Sequence, residues 1–286
     1  MKVRIASFML ALLGVTFFIP KAKANIIKTS SRIMTYNIRY DNPNDGEQSW
    51  SHRKDGILAL IKYHDPQILC VQEALNSQVK DLKSGLDHYG FVGVGRDDGQ
   101  ENGEYAGIFY DKDKYSRVED GHFWLSATSN KASIGWDAAC IRICTWVKLR
   151  DKMTRKLLVV FNTHFDHVGK KAQSESAKLI VSKIRELTEQ GKYSYVLTGD
   201  FNMEPQANAI QYLSKKYDDA KKVSYTKPYG PNGTFNRFDF NHPLDSRIDY
   251  IFVKEGLEVE HYAVLSDSKD LHYYSDHLPV VIDLRY

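Results

Sequence analysis

Apolar positions along the chain fall into short runs separated by polar turns, and the runs carry two different periods. Residues 32–37, 68–72, 106–110, 140–149, 157–162, 195–198, 248–253 and 280–284 are rich in β-branched and aromatic side chains and end at turn formers. Such runs predict sheet-core strands. Between them the period lengthens. Residues 52–62 place Ile57, Leu58 and Ile61 on one helical face, residues 172–190 place Ala177, Ile180, Ile184 and Leu187 on one face, and residues 208–217 give a third, shorter helix. Strands in two sets with helices outside predict an α/β fold of four layers, two mixed sheets packed face to face and sheathed by helices. No internal repeat or long Pro/Gly/Ser linker divides residues 25–286, so one domain and a monomer are expected.

Polar residues cluster where the apolar runs end. The first run ends in Met34-Thr35-Tyr36-Asn37-Ile38-Arg39, and the second passes directly into Gln72-Glu73. An asparagine at a strand end is ordinarily a turn former, and an acid there a solvated cap. Glu73 also suits a hard divalent cation such as Mg²⁺, which takes oxygen ligands and needs only one or two carboxylates.

The fifth run leads into Asn162-Thr163-His164-Phe165-Asp166-His167, where alternation puts Asn162, His164 and Asp166 on one face. A cationic or donor imidazole beside an amide can hold a phosphate oxygen. The sixth leads into Gly199-Asp200-Phe201-Asn202, in which Asp200 and Asn202 share a face. One of these can act as a base toward water while the other fixes the attacking oxygen or a phosphate oxygen. Asp249 in Ser246-Arg247-Ile248-Asp249-Tyr250 and His277 in Ser275-Asp276-His277-Leu278-Pro279 supply the material for a carboxylate-oriented imidazole. The chain has no nucleophilic Ser/Cys elbow, no Walker glycine loop and no zinc-binding Cys/His cluster.

The amino terminus changes how the charge is read. Lys2 and Arg4 precede a largely apolar run over residues 5–19, and Ala22-Lys23-Ala24 is a small-x-small pattern. This predicts a signal peptide at 1–24 and a secreted or periplasmic mature protein. The run is shorter than the roughly 20 residues of a spanning helix, and no membrane anchor is expected. Removing residues 1–24 takes away four basic residues and no acids, so Lys+Arg falls from 39 to 35 against 36 Asp+Glu, a net charge of −1. A near-neutral chain lacks the net basic charge of most nucleic-acid binders, and no strong basic patch is expected. Cys70, Cys140 and Cys144 are odd in number, and the last two lie too far apart along a strand to bridge, so three buried thiols are expected.

The ordered series Asn37, Gln72-Glu73, Asn162-Thr163-His164, Gly199-Asp200-Phe201-Asn202, Arg247-Ile248-Asp249-Tyr250 and Ser275-Asp276-His277 resembles the endonuclease/exonuclease/phosphatase superfamily. That superfamily includes pancreatic deoxyribonuclease, abasic-site endonucleases, inositol polyphosphate 5-phosphatases, neutral sphingomyelinases, and the carbon catabolite repressor deadenylases with nocturnin. The resemblance runs over residues 30–286 and implies the deoxyribonuclease I-like sandwich.

It also implies roles for individual residues. Glu73 and Asn37 would form the metal site, with Asp276 a second metal-side carboxylate. Glu104 would orient His164, His164 would contact the scissile phosphate, and Asp200 and Asn202 would activate water and orient phosphate. Asp249 and His277 would form the buried couple. Gly95-Arg96-Asp97-Asp98-Gly99 and the segment from Gly135 to Arg142 resemble a secreted bacterial subgroup. Arg142, Asn37, Asn162 and Asp166 are candidate substrate contacts, with Asp137 and His167 on the rim. The expected cofactor is Mg²⁺ or Mn²⁺. The expected activity is hydrolysis of a phosphodiester or phosphomonoester by in-line attack of water. A small phosphorylated substrate is favoured by the near-neutral charge, with a nuclease on DNA or RNA as the alternative, and a non-catalytic binding module is disfavoured because every acid of the set is present.

Overall fold

The computed structural model describes residues 30–286, so the predicted signal peptide and its cleavage site lie outside the described residues. In chain order the strands are β1 Ser30–Asn37, β2 Ile68–Ala74, β3 Tyr89–Val92, β4 Tyr105–Asp111, β5 Tyr115–Trp124, β6 Ile143–Asp151 and β7 Leu157–His164. They continue with β8 Ser194–Asp200, β9 Asp218–Asp219, β10 Asp249–Val253, β11 Glu258–Val264, β12 Ser268–Lys269, β13 His272–Tyr273 and β14 Val280–Arg285. The helices are α1 Trp50–His64, α2 Asn76–Gly85, α3 Lys170–Leu187, α4 Asn208–Ser214 and α5 Ala220–Val223.

Two six-stranded mixed sheets result, ordered β11-β14-β1-β2-β4-β3 and β5-β6-β7-β8-β10-β9. The alternation of each strand assigns its residues to layers. Ile33, Ile68 and Cys70 of the first sheet meet Leu158, Val160, Val196 and Ile251 of the second in the central core. Met34, Tyr36, Leu69 and Val71 face outward onto Ile57, Ile61, Val79 and Leu82 of α1 and α2. Val159, Phe161 and Leu197 face outward onto Ala177, Ile180, Ile184 and Ile210 of α3 and α4. The predicted four-layered α/β sandwich is thus the observed one. Each such Leu, Ile or Phe contributes roughly 1.5–3 kcal/mol by leaving water.

Hydrophobic patterning does not reveal β3, β5, β9, β11, β12 and β13, and the first four are the edges of the two six-stranded sheets. An edge strand has one neighbour and a wetter face, so it needs no continuous apolar run. β5 shows this, with Ser116 to His122 at least partly exposed between a buried Tyr115 and a buried Phe123. The strand predicted to begin at Cys140 begins instead at Ile143, because residues 136–140 form a turn.

The inner face is not uniform along its length. Toward one end of the sandwich it passes from Ile33 to Thr35 to Asn37, from Cys70 to Gln72, from Val160 to Asn162 to His164, and from Val196 to Thr198 to Asp200. The middle of this gradient is a buried amide layer. Asn162 Nδ2 donates to the Val71 carbonyl at 2.9 Å and the Gly107 carbonyl at 2.8 Å. Gln72 Nε2 donates to Asn162 Oδ1 at 2.6 Å and Thr35 Oγ1 at 2.9 Å. These bonds join the two sheets and carry the core from hydrocarbon to the ionic layer above it.

Candidate active site

Strand register sets the top row. His164 pairs with Asp200 across β7 and β8, and Asp249 pairs with Asp200 across β10 and β8, so three second-sheet side chains end level. Asn37 ends β1 of the facing sheet, and His277 precedes β14. Asn37 Nδ2 spans the gap, donating to Glu73 Oε1 at 2.9 Å and to Asp200 Oδ2 at 3.0 Å.

Simple alternation would turn Glu73 away from the core face that Gln72 occupies. A register shift between Val71 and Ala74 and a left-handed φ of 63° at Glu73 bring it round to the site. Bulges of this kind re-aim side chains beside active sites. Arg39 (φ 56°) and Asn202 (φ 51°) are also left-handed, which concentrates conformational strain around the same cleft. Gly199 lies within β8. A Cβ there would stand 2.1 Å from the Thr163 carbonyl oxygen, so glycine is what lets β8 deliver Asp200 beside β7.

The two histidines are in opposite charge states. His277 Nδ1 is 2.9 Å from Asp249 Oδ2, and Nε2 is 3.7 Å from Asp200 Oδ2. Burial opposes the charged ring, but Asp249, Asp200 and Asp276 together hold its pKa well above the usual value. Thr234 Oγ1 donates to the same Asp249 oxygen at 2.5 Å and accepts from the Ile248 and Asp249 amides, each at 3.1 Å. His164 is pushed down to about 3, by burial first and then by Arg142. Its Nδ1 is 3.5 Å from Glu104 Oε2, the pairing the resemblance implies. Its Nε2 accepts from Asn202 at 2.9 Å, so the ring expected to be cationic or a donor there is neutral and accepting. Burial raises the pKa of Asp200 and of Asp276.

A cleft of about 400 Å³ opens on this row, lined by Glu73, Glu104, His164, Asp200, Asn202 and His277 among others. Asp276 and Arg142 line it too. Four expected contacts are placed elsewhere. Asn37 is fully buried and supports Glu73 and Asp200 from beneath. Asn162 lies one layer deeper, in the amide network. Asp166 takes the Ala139, Val168 and Gly169 amides at 3.0, 3.0 and 2.7 Å and organises the adjoining loops. Asp137 takes the Lys171 and Ala172 amides at the start of α3, at 3.2 and 2.6 Å. Burial on a polar strand end does not distinguish a supporting amide from a lining one, which is why sequence grouped them.

Other lining residues escaped the sequence reading. Arg39, Arg96, Tyr40, Phe235 and the half-buried Cys140, expected to be a core thiol, all face the cleft. Arg39 ends the Met34–Arg39 motif and Arg96 lies in Gly95–Gly99, whereas Phe235 stands in no motif. Arg247, by contrast, points away from the cleft into a buried pair with Asp219 at 2.8 and 2.5 Å.

Among the described residues, two acid/histidine groups at the cleft have ligand atoms within 4.8 Å of one another, Glu73 with His164 and Asp200, and Asp200 with Asp249 and His277, and a third group of Cys140, Asp166 and His167 adds a thiol. Asp276, expected on the metal side, belongs to none of them, and meets Glu73 through Arg39, whose Nη1 is 4.0 Å from each carboxylate. The carboxylate oxygens of such groups suit a hard divalent cation.

A family model described as the Endonuclease/Exonuclease/phosphatase family matches residues 34–277. The chain belongs to this family. Its members hydrolyse phosphoester bonds, which makes this protein a phosphoesterase, and the acidic cluster is compatible with the divalent metal the family uses. A family crystal structure from Bacteroides thetaiotaomicron is 40% identical, covers 91% of this chain and 98% of its own, and superposes with a TM-score of 0.87. A mannosyl-6-phosphatase from the same organism is 39% identical over 90% of this chain and 100% of its own, with a TM-score of 0.85. The catalytic domain of human nocturnin, with a bound sulfate anion, is 21% identical over 90% of this chain and 96% of its own. At a TM-score of 0.71 it shares the family fold.

Proposed function

We propose that this protein is a secreted or periplasmic phosphoesterase that uses Mg²⁺ or Mn²⁺ to hydrolyse a small phosphorylated substrate, with a sugar phosphate favoured. The observation that carries the chemistry is the Asn37 amide shared between Glu73 and Asp200, which ties a cation-binding carboxylate to a water-facing one. The 39% identity to a mannosyl-6-phosphatase over nearly the whole of both chains supports the sugar-phosphate class. The signal-peptide pattern of residues 1–24 supports export.

Glu73, with Asp200 beside it, would hold the cation, which when bound supplies positive charge to phosphate oxygens. Asp200 faces the cleft, and its Oδ1 accepts the Asn202 backbone N–H at 2.8 Å. Its role is to take a proton from the attacking water. His277, charged and braced by Asp249, faces the negative charge that develops on the phosphoryl oxygens. Water attacks phosphorus in line with the departing oxygen, the P–O bond to the leaving group breaks, and a proton from solvent or from His277 completes the alcohol.

The test is a turnover screen with Mg²⁺ or Mn²⁺ over mannose 6-phosphate and other sugar phosphates, p-nitrophenyl phosphate, bis-p-nitrophenyl phosphate, inositol phosphates, DNA and RNA. Asp200→Ala serves as control. Sugar phosphate turnover that vanishes in Asp200→Ala is the expected result. Preferential cleavage of DNA or RNA would overturn the small-substrate claim, and no turnover above the control would overturn the whole.

A further inference from the structure

Arg142 is unusual among the cationic residues of the cleft. Its side chain is only 5% exposed, it lines the cleft, and its Nε and Nη1 have no hydrogen-bond partner. Its ion-pair partner Asp166 is shared with other donors. Nε is 3.5 Å from Asp166 Oδ1, but that oxygen accepts the Ala139 amide, and Oδ2 accepts those of Val168 and Gly169. Nη2 is 3.0 Å from His167 Nδ1, which fixes the plane of the guanidinium and leaves the other edge free.

A buried N–H without a partner is costly, and a charged one more so. Something entering the cleft must satisfy it. Arg96 stands on the same cleft, its Nη1 held 2.6 Å from Glu104 Oε2 and its Nε also unpartnered. The cleft therefore has two kinds of wall: acids at Glu73, Asp200 and Asp276, with Arg39 paired among them, and guanidinium groups at Arg96 and Arg142. The acidic wall accounts for a cation and a water, and leaves the guanidinium wall without a use.

We propose that Arg142, assisted by Arg96, is an anion subsite that grips the terminal phosphoryl group and makes the enzyme prefer phosphomonoesters to phosphodiesters. This deepens the phosphoesterase assignment and rests on it. A monoester presents three terminal oxygens and about −1.5 to −2 charges at neutral pH. A diester has two such oxygens and a single charge, and its second ester arm would meet the guanidinium wall. The forked geometry of arginine engages two phosphate oxygens at once, which the single ammonium of lysine does not reproduce.

The experiment compares wild type, Arg142→Met and Arg142→Lys on p-nitrophenyl phosphate and bis-p-nitrophenyl phosphate, with melting curves to confirm folding. Alongside it, stabilisation by inorganic phosphate is measured in EDTA. Wild type should favour the monoester, and both variants should lower monoester kcat/KM by about 10- to 100-fold more than diester kcat/KM, the worth of one or two charge-assisted hydrogen bonds. Phosphate should raise the melting temperature of wild type and not of Arg142→Met. A wild type that favours the diester, or variants that lower both substrates equally, would overturn the subsite while leaving the phosphoesterase assignment standing. If neither substrate turns over, the phosphoesterase assignment is what fails, and phosphate binding then decides the subsite: loss in Arg142→Met supports it, and wild type without any phosphate response overturns it.

Discussion

Asn202 and His164 are locked by a third partner that decides which atom donates. Asn202 Nδ2 gives one hydrogen to the Phe165 carbonyl at 3.0 Å, and this fixes the amide so that its other hydrogen points at His164 Nε2, 2.9 Å away. An imidazole nitrogen that accepts is unprotonated, so the ring proton is on Nδ1, on the Glu104 side. The low pKa of about 3, caused first by burial and then by Arg142, agrees with a neutral ring.

Metal-free protein should therefore show His164 neutral and Nδ1-protonated in ¹⁵N NMR throughout pH 5–8. Asn202→Asp replaces the donor by an acceptor facing both the Phe165 carbonyl and Nε2, and should cut kcat by roughly 100-fold or more, as loss of a positioned donor does elsewhere. A wild-type His164 titrating near pH 6.5 would contradict the assignment.

Asn162 was grouped by sequence with the substrate contacts, yet its amide donates to two carbonyls of the opposite sheet and accepts from Gln72. Asn162→Ala should leave those buried partners unsatisfied and destabilise the fold by about 2–4 kcal/mol. Denaturant melts should show the loss, with KM within about threefold of wild type at temperatures where the variant is folded. A large KM increase in a stable variant would return Asn162 to the substrate.

The contrast between Asn162 and His164 marks how far sequence reaches. Both were legible as polar positions on one strand face, and the central strands and three helices were legible from their periods. Depth along the face was not, because it depends on how far the opposing sheet extends over each residue. Glu73 was found as a strand-end acid, but the bulge that aims it depends on pairing with β4. Thr234 and Phe235 reach Asp249 and His277 from a separate loop, and local spacing encodes no such meeting.

Asp137 carries a pH-dependent prediction. Its carboxylate pKa is lowered by the hydrogen bond from the Ala172 amide, and further by that from Lys171, at the amino end of α3. A depressed folded-state pKa contributes stability above the unfolded value, near 3.8, and that contribution is lost as pH falls through the lower folded value. Asp137→Asn should therefore melt below wild type at neutral pH, and the gap should close under pH 3.8. A gap unchanged by acid would mean that the loss does not come from the carboxylate's charge, and no gap at neutral pH would mean that the amide caps as well as the carboxylate.

Thr234 is placed to act on chemistry without touching substrate. It donates to Asp249 Oδ2, the oxygen that faces His277 Nδ1, and its own oxygen receives the Ile248 and Asp249 amides. Asp249→Asn removes the charge that keeps His277 protonated and should cost about 10³- to 10⁴-fold in kcat, as in comparable acid-imidazole pairs. Thr234→Val keeps the shape and the Asp249 charge but frees the carboxylate to turn, so kcat should fall by about tenfold. KM should hardly move, and Thr234→Ser should restore most of the rate by returning the hydroxyl. If valine and serine were equally impaired, the effect would lie in packing, and Thr234 would not position the Asp249–His277 pair.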